Sequence, residues 1–431
     1  MTANKIISKE NIFLNEKYYH IKHGSGLNIY VSPKNLTTFY AVFGTKYGSI
    51  DNKFKLAADN DYTVVPDGIA HFLEHKMFEN EDGEDTFLKF AETGASANAY
   101  TSFNSTVYLY SCTSKFYESL EILLEFVTHP YFTPETVEKE QGIIAQEIKM
   151  GEDNPGRTII FDILQSMYKD HNVRIEIAGT VKSISEITAD ILYKCYNTFY
   201  NLNNMALCVC GNIECEKVIE IADKALANAP DVKIESVYSE EEPEVFRKSF
   251  SRKMQVAKPL FNIGIKDIEI SGDINERFKK AAAISILTTA LFGKSGELYN
   301  DLYESGLISP SFDVWFEHNQ AYSFILLSGD SDKPEEVFNK FKEYIDKIKS
   351  ISIGVSDFER SKRVLYANMV KSFDSTEDIA NNFLSYIFEG SDIFNFIDII
   401  NSVDYNYTSE LLLKMFKDDY YSISVIYPFD Q

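Results

Sequence analysis

The chain repeats itself. Residues 283–306 (AISILTTALFGKSGELYNDLYESG) can be laid on residues 69–94 (IAHFLEHKMFENEDGEDTFLKFAETG) with small gaps. Residues 355–369 (VSDFERSKRVLYANM) lie on 134–148 (PETVEKEQGIIAQEI) without a gap, and SISVIY at 422–427 matches MALCVC at 205–210. Segment 114–128 places Phe116, Leu120, Leu123, Leu124 and Val127 on one helical face. A helix with Val337, Phe341, Tyr344, Ile345 and Ile348 inward matches it in the second half. Each half therefore runs strands, helix, strands, helix, helix, final strand. That order excludes strict βα alternation around a parallel sheet and predicts a duplicated α+β unit. The polar, Pro-containing stretch 229–245 (Pro230, Glu235, Glu240, Glu241, Glu242, Pro243, Glu244) is the expected linker between domains 1–228 and 246–431.

Chemistry gathers in the first half. His71-Phe72-Leu73-Glu74-His75 lies on a predicted helix starting at Ile69, with Asp67 as the expected N-cap. Residues i and i+4 share a helical face, so His71 and His75 can reach one ion. Glu74 borders that face, within reach of a water at the ion, in the order H-x-x-E-H. A second helix opens at Thr133-Pro134-Glu135 and runs through Met150, carrying Glu140 and Glu147 two turns apart on one face. Either carboxylate could be the third ligand, and spacing does not choose between them. A histidine pair can also be polar filler, but the repeat argues otherwise. Ser285, Thr288 and Thr289 stand where His71, Glu74 and His75 sit, and Ser361 and Asn368 stand opposite Glu140 and Glu147. Apolar positions survive (Leu73 over Leu287, Phe78 over Phe292, Ile143 over Val364). Five polar residues lost as a set point to a functional site in one half and a degenerate other half.

Composition narrows the rest. With 45% hydrophobic and 25% charged residues the chain is globular rather than disordered. A net charge of -23 repels phosphate backbones, which excludes nucleic acid as an expected partner. Five cysteines without a C-x-x-C pair suit a reducing cytoplasm, the expected location. The first twenty residues show no apolar signal region, and no apolar run reaches the roughly 20 residues of a membrane span.

These motifs resemble the M16 family of zinc metallopeptidases, the clan of pitrilysin, insulin-degrading enzyme and mitochondrial processing peptidase, and within it the short bacterial YmfH-like branch. The resemblance covers nearly the whole chain. It rests on H-x-x-E-H, the E-x6-E pair, Gly94-Ala95-Ser96-Ala97-Asn98-Ala99-Tyr100-Thr101, Ala178-Gly179-Thr180 and Phe199-Tyr200-x-x-x-Asn204-Met205. S-ribosylhomocysteinase shares the zinc motif but is far shorter than this chain. The resemblance implies two homologous halves of mixed, mainly antiparallel sheet packed with helices, the M16/S-ribosylhomocysteinase-like metallohydrolase fold, closing as a clamshell around a peptide chamber. It also implies one zinc per chain on His71, His75 and Glu147, Glu74 as general base and Glu140 as a carboxylate behind the ligands. The small residues Ala97 and Ala99, with Asn98, suit an edge strand to which a peptide can add by backbone pairing.

One departure stands out. Many family members carry R-x-x-x-G-L-x-Y in the second half, and its Arg and Tyr polarise the scissile carbonyl. Here Leu302 replaces the Arg and Ser309 the Tyr, with Tyr303 adjacent. The expectation is a zinc endopeptidase for peptides or unfolded segments, with Tyr303 supplying a hydroxyl or, preferably, a related partner chain completing the site as a homo- or heterodimer. The alternative is a catalytically idle metal-binding subunit or peptide-binding assembly protein.

Overall fold

Strands Phe39–Thr45 and Met205–Gly211 are buried along almost their whole length, which requires cover on both faces of the sheet they share. The structure, a computed structural model, describes residues 4–429; residues 1–3 and 430–431, the outer ends of the two expected domains, lie outside the described residues. These residues form two compact units. One contains 4–148, 175–238 and 370–388, and the other contains 149–174, 239–369 and 389–429.

The first unit holds a seven-stranded sheet in the order Lys5–Asn11, Glu16–Lys22, Asn28–Pro33, Met205–Gly211, Phe39–Thr45, Thr106–Cys112, Ser96–Thr101. The second holds five strands in the order Ser249–Met254, Tyr421–Pro428, Leu260–Asp267, Ser323–Asp330, Asp313–His318. In both, the final strand inserts between the first two of the repeat, parallel to one and antiparallel to the other. The two sheets thus repeat one topology, to which the first adds the N-terminal hairpin 5–22. The expected mixed, mainly antiparallel α+β fold is what the chain adopts.

Each unit recruits a helix from the other half of the sequence. Phe39 stacks on Phe116 of helix Phe116–Thr128 with ring centres 5.5 Å apart. Gly44, an odd number of residues along the same strand, faces Leu384 of helix Thr376–Phe388, so the two helices cover opposite faces. In the second unit, helix Pro155–Met167 packs on strands Leu260–Asp267 and Tyr421–Pro428. Its Asp162 binds Arg252 at 2.5 Å.

The stretch 229–245 is ordered, and the unit boundary falls inside it, after Tyr238. Ile234–Ser236 pairs antiparallel with Lys53–Leu56, and Tyr238 donates to Asp51 at 2.9 Å. Beyond the boundary, Glu241 accepts from the amides of Lys169, Asp170 and His171 and pairs with the fully buried Lys266 at 2.8 Å. Polar residues here satisfy buried groups rather than solvating a tether. No helix among the described residues is long and apolar enough to cross a membrane.

Candidate metal centre

The motif helix, Ile69–Lys76, begins against a turn rather than under a side-chain cap. Asp67, the expected N-cap, does not fill that role. Gly68 occupies the position at φ 88°, and no side chain caps the helix. The Asp67 carboxylate instead accepts from Asn52, and its carbonyl accepts from Ser183 Oγ at 2.8 Å. A Cβ on Gly68 would meet the Ala178 carbonyl oxygen at 2.3 Å, and one on Gly179 would meet that of Asp67 at 2.4 Å. Only two glycines allow this approach, so Ala178-Gly179-Thr180 is the seat on which the motif helix starts.

Ile69, Ala70, Phe72 and Leu73 anchor the helix in the core, leaving His71 and His75 on the opposite side with ring centres 4.6 Å apart. The carboxylate helix spans Pro134–Glu152, and Thr133 Oγ1 accepts from the Thr136 amide at 3.2 Å at its start. Val137, Ile144 and Ile148 bury one side of it. Glu147 Oε1 lies 3.5 Å from His71 Nε2, and Glu147 Oε2 lies 3.5 Å from His75 Nε2. Glu140 is buried and lies behind them, its Oε1 3.0 Å from His75 Nδ1. The donor atoms of His71, His75 and Glu147 fall within 4.8 Å of one another, the only such group of three among the described residues. Two imidazole nitrogens and one carboxylate oxygen form the donor set of a catalytic zinc site with an open position. A carboxylate on the far nitrogen of a ligand imidazole is its usual support.

Glu74 is buried beside this group, and burial raises its pKa, opposed by a hydrogen bond from Thr101 Oγ1 at 2.7 Å. Burial disfavours the charged form of His75, but the Glu140 hydrogen bond and the carboxylates of Glu74, Glu140 and Glu147 outweigh it, and its pKa is raised. Thr101 closes the motif that starts at Gly94, where the sequence gives it no role of its own; alternation puts it on the face shared by Ala97 and Ala99.

Strand Ser96–Thr101 ends the seven-stranded sheet and pairs on one side, with Thr106–Cys112. Ala97 and Ala99 pack inward, whereas Asn98 and Tyr100 are exposed. Asn98 Oδ1 accepts from the Ala99 amide at 2.9 Å.

The second half lacks any such donors at the matching positions. Ser285, Thr288 and Thr289 donate to the helix carbonyls four residues back. Leu302 is fully buried, and Ser309 donates to Asp330 at 2.5 Å. Tyr303 is exposed and stacks on Tyr299. Of the three apolar pairs kept by the repeat, Leu73 and Leu287 are both core, but Ile143 and Val364 are both exposed and mark no shared packing.

Residues 58–181 match the family described as Insulinase (Peptidase family M16), and residues 186–365 match the Peptidase M16 inactive domain. The Bacillus subtilis protein named uncharacterized zinc protease YmfH is 41% identical over 396 residues, covering 90% of this chain and 92% of that one. The chain belongs to the M16 peptidase family. An M16-like peptidase from Alicyclobacillus acidocaldarius shares the fold with a TM-score of 0.93 and 30% identity, covering 98% of this chain and 100% of that one. The beta subunit of the Caenorhabditis elegans mitochondrial-processing peptidase is 30% identical over 162 residues, 36% of this chain and 35% of that one. The family's inactive-domain description falls on the part of the chain that lacks the donor set.

Proposed function

We propose that the chain is a zinc-dependent endopeptidase acting on peptides or unfolded segments. The observation that carries this reading is the convergence of His71, His75 and Glu147 beside the buried carboxylate of Glu74. His71, His75 and Glu147 would hold one ion, and Glu140, accepting from His75 Nδ1–H, would leave Nε2 free to coordinate. Zinc bound there would supply a Lewis acid that polarises a carbonyl and acidifies water. Glu74 takes the proton of the attacking water and later delivers it to the leaving amine. The open edge of Ser96–Thr101, with Ala97, Asn98 and Ala99, offers main-chain pairing to an extended peptide, which gives affinity with little sequence demand.

The carbonyl-polarising pair comes from elsewhere in this reading. Leu302 is committed to the core and the Ser309 proton to Asp330, so neither can serve an oxyanion. A related but different chain carrying an Arg/Tyr pair completes the site, as a heterodimer partner. That one relative is the beta subunit of a mitochondrial-processing peptidase supports this. Tyr303, whose ring is exposed, is the in-chain rival for that hydroxyl. The test is cleavage of an unfolded peptide that is lost on chelation and restored by zinc, with and without the candidate partner.

A further inference from the structure

Thr101 is the last residue of its strand and stands opposite Thr106 in the pairing register. Residues 97, 99 and 101 share one face of the strand, and the first two are alanines. Their small side chains let this face pack against the core, and Thr101 brings a hydroxyl to Glu74 Oε2 at 2.7 Å. Hydrogen counting fixes its direction. A threonine hydroxyl has one proton. Thr106 gives its own to the Tyr47 carbonyl at 2.8 Å, and is itself fully buried. The Thr101 and Thr106 hydroxyl oxygens are 3.4 Å apart, a longer contact than that to Glu74. The single proton of Thr101 is therefore committed to Glu74.

We propose that Thr101 is a positioning residue for the Glu74 carboxylate. It pins Oε2 to the strand that would receive the peptide, so that Oε1 is held toward the reacting groups. Base and substrate strand are then set in one frame by one hydrogen bond. The inference rests on the reading of Glu74 as general base.

The test compares Thr101→Val, which keeps the shape and removes the proton donor, with Thr101→Ser, which keeps the donor. Thr101→Val should lower kcat about 10- to 100-fold, with KM and zinc content held near those of the parent protein. Thr101→Ser should recover most of the turnover. Crystal structures of the metal-free variants give a second readout: Glu74 should keep its place in Thr101→Ser and swing away in Thr101→Val. Wild-type kcat in Thr101→Val, or a loss in Thr101→Ser as deep as in Thr101→Val, overturns the proposal. So does an unmoved Glu74 in the Thr101→Val crystal. Glu74→Gln separates the two claims. If it is inactive while Thr101→Val is not, only the role of Thr101 fails. If it cleaves at the wild-type rate, the reading of Glu74 fails and the proposal with it.

Discussion

His75 is held at both ring nitrogens, Nδ1 lying 3.0 Å from Glu140 Oε1 while Nε2 turns to Glu147 at 3.5 Å. The two carboxylates of one helix therefore sit on opposite sides of one imidazole and should fail differently. Glu147→Gln removes a donor and should lose most of the zinc, as should His71→Ala. Glu140→Gln keeps all three donors and should weaken zinc affinity or activity about 10- to 100-fold. Zinc per chain, measured with a competing chelator, checks both. The reverse pattern would exchange the two roles.

Gly68 sits at φ 88° with no room for a Cβ against Ala178. Gly68→Ala should cost about 1–3 kcal/mol from backbone strain alone, and more from the clash. Because the strain lies at the start of the motif helix, zinc affinity should fall with stability. A urea midpoint and zinc content equal to wild type would show that this seat does not hold the helix.

The missing Arg cannot be restored by simple replacement. Leu302 is fully buried, and Leu302→Arg would place an unpaired charge in the core at a cost of about 3–5 kcal/mol. The variant should lose stability and gain no peptidase activity. A partner chain with the Arg/Tyr pair should instead raise the rate by about 10²–10³, the usual worth of a positioned oxyanion donor. Ordinary turnover by the isolated chain, abolished by Tyr303→Phe, would favour the self-sufficient site.

Acid should act through buried imidazoles. Burial pushes His171 and His318 down to about 4, the charges of Lys266 and Arg277 respectively adding to it and Glu241 opposing it at His171. Unfolded imidazoles titrate near 6.5, so this contribution is complete above pH 6.5 and is lost as pH falls toward 4, at up to about 1.4 kcal/mol per pH unit for each. The buried carboxyls of Asp51, Asp162 and Glu317, raised to about 6, 6 and 7, act in the opposite sense. A comparison of variants isolates the histidines. His171→Gln should lose less stability than wild type between pH 7 and 4.5 in urea titrations, and an equal loss would contradict the assignment.

Local periodicity made much of this legible. The spacing of His71 and His75, and of Glu140 and Glu147, places each pair on a helical face before any tertiary contact is known. The choice between the two glutamates was not legible, because it depends on how two helices meet. Composition marks 229–245 as a boundary but not its packing, since Glu241 looks like a solvated charge until the amides of 169–171 and Lys266 surround it. Asp67 looked like a cap because its residue type favours one, yet the close approach of Gly179 gave the position to Gly68. The role of Thr101 was hidden for the same reason as the glutamate choice: its partner lies 27 residues away on a different element.

In the proposed function, Glu74 moves the proton at a zinc held by its neighbours. Glu74→Gln keeps the size of the side chain and touches none of the three donors. Zinc content and peptide cleavage measured on the same Glu74→Gln preparation, with its partner present, test the claim directly. A general-base role for Glu74 requires full zinc and a rate lowered by at least about 10²-fold. Cleavage at the wild-type rate with zinc in place would contradict it.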